Sequence, residues 1–163
     1  NSVAVLTGNE TVEDLANLSE DIFRYFGLGC RNVSKLFIPE NYNFDSFFNG
    51  IFQWKDIINH HKYANNYDYN KAVYLMSEYA ILDNGFFMAK EDTAYASPIS
   101  TVYYEFYSDL NTLKLKLKND SELIQCIVTP ETLGFGIPFG STQNPQLWDY
   151  ADNADTIDFL LTI

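Results

Sequence analysis

Hydrophobic positions change period several times along the chain, and each change marks a candidate element. Residues 3–6 form an uninterrupted apolar run closed by Thr7, Gly8, Asn9 and Glu10, the pattern of a buried strand followed by a turn. Val12, Leu15, Leu18, Ile22 and Phe26 then recur every three or four positions, which predicts a helix with one buried face. Thr11 is its expected N-cap, Glu13 and Asp14 complement the positive end of the helix dipole, and Gly27 is its expected C-cap. Residues 34–38, "SKLFI", read as a strand stopped by Pro39.

Phe44, Phe47, Phe48, Ile51 and Phe52 predict a second helix over residues 43–54 despite Gly50 in its interior. A polar, tyrosine-rich connection leads to a third helix expected at residues 69–79. Asp83, Asn84 and Gly85 are a hairpin-type signal before "FFMAK". Residues 100–107, "STVYYEFY", are rich in β-branched and aromatic side chains and form the clearest strand. "LKLKLK" at 113–118 alternates as a strand would, yet Asp109 can cap a helix in which Leu110, Leu113 and Leu117 share a side. We read it as a helix because "LIQCIV" follows as a strand. "TPET" reads as a short helix start at Pro130, "GFGIPFGST" as a glycine-rich loop, "NPQLWDYA" as a short helix and "TIDFLLTI" as a final strand. Strands interleaved with helices predict one layered α/β domain, residues 1–163, around a central mixed sheet.

Composition supports folding. Hydrophobic residues make up 47% of the 163 and aromatics 17%, enough to bury roughly 70% of the extended chain's surface and to exclude intrinsic disorder. Against 10 basic residues stand 22 acidic ones, a net charge of -12 that repels polyphosphates and argues against nucleic-acid or anionic-membrane binding. No apolar run reaches the roughly 20 residues that span a bilayer. The two cysteines, Cys30 and Cys126, stand far apart, at neither metal-ligand nor disulfide-framework spacing, which favours a reducing, cytoplasmic setting. Opening on Asn1 rather than Met, the chain is expected to be a piece of a longer protein.

Candidate chemistry concentrates in "GLGCRN", residues 27–32. Gly27 and Gly29 permit positive φ and close approach to the main chain around Cys30. Arg31 supplies a positive charge that favours a reactive thiolate, opposed by the carbonyls at the end of the preceding helix. The bland alternative is a buried thiol with glycines serving only as a cap, the reading given to Cys126 inside "LIQCIV". "GLGCRN" is no dinucleotide fingerprint, since Asn32 replaces the last glycine and a helix precedes it. His60 and His61 lack partners at metal-ligand spacing.

The first forty residues, "NSVAVLTGNETVEDLANLSEDIFRYFGLGCRNVSKLFIP", resemble the catalytic stretch of the aldehyde dehydrogenase superfamily: strand, acidic amphipathic helix, glycine-flanked cysteine, strand. The resemblance is greatest to the fatty acyl-CoA reductases related to luciferase-associated enzymes. "ASPISTVYYEFY" is similar to the stretch leading into that family's core strand, and "IPFGSTQNPQLWDYADNADTIDFLL" to its C-terminal end. The resemblance implies a three-layer α/β/α catalytic domain, with Cys30 as nucleophile and Gly27, Gly29, Arg31 and Asn32 forming its loop. It further implies that Cys30 takes an acyl group from a fatty acyl-CoA or acyl-protein thioester, and that NADPH then reduces the enzyme thioester to an aldehyde. The acid of the Glu-x-Phe-Gly-Pro motif would fall at Ala94, with Glu91 nearby. No residue of this chain is expected to bind the cofactor, whose nucleotide-binding domain would belong to the same, longer chain. Association into homo-oligomers is also implied. The rival expectation is a non-catalytic, acidic interaction or oligomerisation module.

Overall fold

A computed structural model describes residues 1–151 and 154–162. Six strands form one sheet in the order β3-β4-β5-β2-β1-β6. They are β1 (Ser2–Val5), β2 (Val33–Pro39), β3 (Ile81–Asp83), β4 (Met88–Glu91), β5 (Thr101–Tyr107) and β6 (Ile127–Val128). All neighbours run parallel except the β3–β4 hairpin, so the sheet is mixed, and helices cover both faces in an α/β/α arrangement.

The helices are α1 (Val12–Phe23), α2 (Phe44–Gly50), α3 (His61–Met76), α4 (Leu110–Asn119) and α5 (Thr156–Leu161). On one face Leu15, Leu18, Ile22 and Phe23 of α1 and Phe47 of α2 pack on Ala4, Leu36, Ile38, Ala89 and Val102. On the other, Leu113 and Leu117 of α4 cover Val3, Val5 and Phe37. This alternation follows from the two-residue period of strands, which sends successive side chains to opposite layers. Helix α1 begins as its sequence predicts, with a reciprocal capping box between Thr11 and Asp14.

Several elements differ from expectation. Helix α1 stops at Phe23, with Arg24 as C-cap, and a short turn (Arg24–Gly27) with left-handed backbone at Tyr25 and Phe26 follows. The second helix is split into α2 and a 3-10 stretch (Phe52–Asn59). Gly50 there allows close approach to α1: a Cβ would lie 2.3 Å from that of Leu15. Helix α3 starts at His61 rather than near residue 69, because Tyr63, Tyr67 and Tyr74 supply its buried positions. Within "LIQCIV" the strand itself is Ile127–Val128, and before it the Val3 N–H donates to the Cys126 carbonyl at 3.0 Å and the Gln125 N–H to the Asn1 carbonyl at 2.8 Å. "NPQLWDYA" forms turns, including one in which the Asp149 carboxylate accepts from the Gln146 amide at 2.9 Å. The stretch read as a final strand is α5, because Asp155 accepts from the amides of Ile157 and Asp158 and starts a helix, while the β6 edge is taken by a parallel bridge from Val128 to Ile137. Asp152 and Asn153 of the acidic "ADNADTID" stretch, and Ile163 of "TIDFLLTI", lie outside the described residues.

One charged cluster is built into the α4 face. The side chain of Lys35 on β2 is fully buried, with Nζ 2.6 Å from a Glu105 carboxylate oxygen and donating to the Thr93 carbonyl at 2.8 Å. Lys116 of α4 pairs with the other Glu105 oxygen. Burial lowers the Lys35 pKa, partly offset by Glu105. Burial works against the Glu105 carboxylate too, but hydrogen bonds from Lys116 and Lys35 outweigh it and hold its carboxyl below the usual range.

Candidate functional site

Between α1 and β2 the chain must reverse direction within a few residues. Tyr25, Phe26 and Gly27 all take positive φ, 56°, 61° and 72°. Two successive non-glycine residues in this region are costly, so something must hold them there. Asn32 does. Its buried side-chain amide donates to the carbonyls of Asp21 (2.9 Å), Ile22 (3.3 Å) and Arg24 (2.9 Å), satisfying oxygens that the end of α1 leaves open. Its Oδ1 accepts from the Gly29 N–H at 2.8 Å, and its own N–H donates to the Gly29 carbonyl at 3.0 Å.

Cys30 sits at the tip of this doubly closed turn and is exposed, which overturns the buried-thiol alternative. Its carbonyl accepts from the Ser2 hydroxyl at 3.2 Å. Among the described residues the backbone N–H groups of Cys30 and Arg31 donate to nothing, leaving two donors beside the sulfur. Gly29 has a specific reason to lack a side chain: a Cβ would lie 2.8 Å from Asn32 Oδ1 and break the lock. Gly27 is not the cap of α1. It closes the left-handed segment, where a Cβ would meet the Ile22 carbonyl at 3.2 Å.

Arg31 does not serve as a neighbouring charge alone. Its Nε donates to the Thr142 carbonyl, and its guanidinium lies 3.5 Å from Asp149. The glycine-rich loop that it grips is fastened from below by Asp21, a buried carboxylate of α1 that accepts from the amides of Gly140 (2.6 Å) and Thr142 (3.0 Å) and from the Thr142 hydroxyl (2.8 Å). Burial pushes the Asp21 pKa up, and these hydrogen bonds restrain the rise. Sequence reasoning missed Asp21. The signal was a carboxylate three residues after Leu18, on the apolar stripe of α1, where an unpaired charge is not tolerated.

A third segment completes the site. Ser97, Pro98 and Thr101 border a cavity of about 40 Å3 beneath the turn, together with Gly27, Gly29 and Asn32. Residues 97–101 and 140–142 therefore both touch the 24–32 turn, the first across this cavity and the second through Arg31. Ala94 lies on an exposed bend, its N–H donating to Asp92 at 2.9 Å, and Glu91 ends β4 exposed. Cys126 is buried, and burial raises its thiol pKa. His60 and His61 are exposed, and no three potential ligands cluster for a metal among the described residues.

Open α/β sheets receive dinucleotides such as NADPH in the crevice beyond the carboxyl ends of strands where their order reverses. Here that crevice opens between β1 and β6, measures about 600 Å3 and is bordered by Glu10, Asp14 and Glu131. The amides of Thr7 and Gly8, which a phosphate would need, already donate to the Glu10 carboxylate. These residues do not fit the cofactor. Cys30 lies at the opposite edge, before the amino end of β2.

No protein-family model matches the chain, and a search of curated proteins finds no match. No helix among the described residues is long and apolar enough to cross a membrane.

Proposed function

We propose that this chain is the acyl-accepting domain of a fatty acyl-CoA reductase of the aldehyde dehydrogenase type, and that Cys30 is its nucleophile. The observation that carries the reading is the exposed thiol on a turn whose conformation is fixed by Asn32 and whose two adjacent N–H groups have no partner among the described residues. Convergence of the three segments that resemble the family adds support.

In this reading the Cys30 thiolate adds to the carbonyl carbon of an acyl-CoA or acyl-protein thioester, its proton having passed to solvent. The oxyanion that forms is met by the N–H groups of Cys30 and Arg31, since preorganised donors stabilise charge developing at that point. Collapse breaks the bond to the carrier sulfur, which leaves as a thiolate, and the acyl group remains on Cys30. Asn32, Gly27 and Gly29 hold the geometry, and Arg31 fastens the loop from 140 to 142. NADPH reduction belongs to the proposal only through the resemblance and would depend on a nucleotide-binding domain that these residues do not form. A cytoplasmic setting belongs to the same proposal.

Intact-mass measurement after incubation with a long-chain acyl-CoA tests the reading. A single acyl adduct on the wild-type chain, absent from Cys30→Ala, is expected. Equal labelling of both proteins overturns it.

A second reading, an interaction or homo-oligomerisation module, is favoured by one observation. Leu147, Trp148, Phe159, Leu160 and Leu161 are all exposed, and Leu147 is 94% accessible. Concentration-dependent mass by sedimentation, with no acyl adduct at Cys30, is the outcome that supports it.

A further inference from the structure

We infer that Cys30 is an oxidation site for hydroperoxides and that Cys126 is its resolving thiol, the two closing a reversible disulfide within the chain. The inference goes beyond the reading of Cys30 as acyl acceptor and does not depend on it, since it uses only the placement of the two sulfurs.

Both thiols are free, and the fold brings them to either side of one residue. Strand β1 lies between β2 and β6, so its first residue, Ser2, has the cysteine turn before β2 on one flank and Cys126, just before β6, on the other. The Ser2 N–H donates to the Asn32 carbonyl at 3.2 Å, and the Val3 N–H to the Cys126 carbonyl at 3.0 Å. The Ser2 hydroxyl spans the remaining gap. It donates to the Cys30 carbonyl at 3.2 Å and accepts from the Cys126 N–H at 3.1 Å, so a single oxygen atom bridges the two cysteine backbones.

Electrostatics give a second, independent measure of their proximity. Burial raises the Cys126 pKa most, a hydrogen bond with Ser2 and the charge of Arg31 oppose the rise, and negative charge on Cys30 adds to it. Each thiol is therefore within reach of the other's charge. Arg31 and Cys126 also line one cleft, of about 350 Å3. A disulfide joins Cα atoms roughly 4.4–6.8 Å apart. The tip of the turn can adjust to that span, because among the described residues the N–H groups of Cys30 and Arg31 are held by no partner.

Exposure sets the order of events. Cys30 is exposed and meets the oxidant first, whereas Cys126 is only 7% accessible and is reached from within the protein. The Cys30 thiolate attacks the terminal oxygen of the hydroperoxide: an S–O bond forms, the O–O bond breaks, and the alkoxide leaves as an alcohol with the thiol's proton. Sulfur is oxidised to a sulfenic acid and the peroxide is reduced by two electrons. The Cys126 sulfur then attacks the Cys30 sulfur, forming S–S and breaking S–O, and hydroxide leaves as water with the Cys126 proton. An external thiol reverses the modification by exchange.

Equimolar hydrogen peroxide, followed by non-reducing intact mass and peptide mapping, tests the pair. The wild-type chain is expected to lose about 2 Da, the two hydrogens of the new bond, and to regain them with dithiothreitol. Mapping should join the Cys30 peptide to the Cys126 peptide of the same chain. Cys126→Ala should instead accumulate a sulfenic acid at Cys30 that dimedone captures, and Cys30→Ala should be oxidised at least tenfold more slowly than the wild type. Dimedone capture as high in the wild type as in Cys126→Ala, or a disulfide that joins two chains, overturns the inference. An acyl adduct at Cys30 with no internal disulfide overturns it too, while leaving the acyl-acceptor reading in place. An internal disulfide with no acyl adduct does the reverse.

Discussion

Asn32 donates from its side-chain amide to the Asp21 carbonyl at 2.9 Å, tying the turn that carries Cys30 to the last turn of the helix before it. The same amide reaches Ile22 and Arg24, so one side chain ends α1 and fixes the shape of the cysteine turn. Replacing it leaves buried carbonyls without a donor. Asn32→Ala is expected to cost about 1–3 kcal/mol in urea unfolding. In Asn32→Asp, acceptor oxygens would face the same carbonyls, so a larger loss is expected. Wild-type stability in either variant would remove Asn32 from this role.

The glycines of the turn have separable functions. Gly27→Ala forces a Cβ into a residue at φ 72°, which costs about 1–2 kcal/mol, and stability should fall by that amount. Gly29→Ala instead displaces Asn32 Oδ1, because its Cβ would stand 2.8 Å away. Its damage should therefore be non-additive with Asn32→Ala in a double-mutant cycle. Additive losses would show that the two do not share the lock.

Asp21→Asn should uncouple the glycine-rich loop. Three donors, the Gly140 and Thr142 amides and the Thr142 hydroxyl, converge on its carboxylate, and an amide offers one acceptor and a competing donor. Faster hydrogen exchange at Gly140 and Thr142, with the β1–β2 amides still protected, is the expected signature. Unchanged protection in the loop would contradict it.

The Lys35–Glu105 pair predicts both a mutational and a pH effect. Glu105→Ala leaves a buried ammonium without its counter-ion and is expected to cost about 3–5 kcal/mol, more than the double change Lys35→Met/Glu105→Leu. The folded-state pKa of Glu105 is depressed below its ordinary 4.5, so its contribution is present above that value and is lost as pH falls through the depressed one. The melting temperature of the wild type should therefore drop more steeply on acidification below about pH 4.5 than that of the double variant. Parallel pH profiles would count against the pair.

Thr101 is a control of opposite sign. Its hydroxyl is buried beneath the cysteine turn and has no hydrogen-bond partner among the described residues. Thr101→Val removes an unsatisfied group at nearly constant shape, so stability should be unchanged or rise in urea unfolding. A loss above about 1 kcal/mol would mean that the hydroxyl is satisfied in solution.

Periodicity alone determined the main strands and the buried stripe of α1 from Leu15 to Ile22, because each depends on neighbours within a few residues, whereas α4, whose leucines and lysines alternate as in a strand, was legible only with its Asp109 cap and the strand that follows it. It also placed Cys30 in a glycine-bounded bend. Helix α3 was only partly legible because its buried positions are tyrosines, which a polar-versus-apolar count undervalues. The tertiary structure alone decided where α1 stops, since the donor for its last carbonyls stands at Asn32, beyond the turn. It alone brought Thr142 to Asp21 and Arg31, and Lys35 to Glu105, across separations that no local period encodes. It also made "TIDFLL" a helix rather than a strand: a strand needs an edge to pair with, whereas a capped helix satisfies its backbone from within.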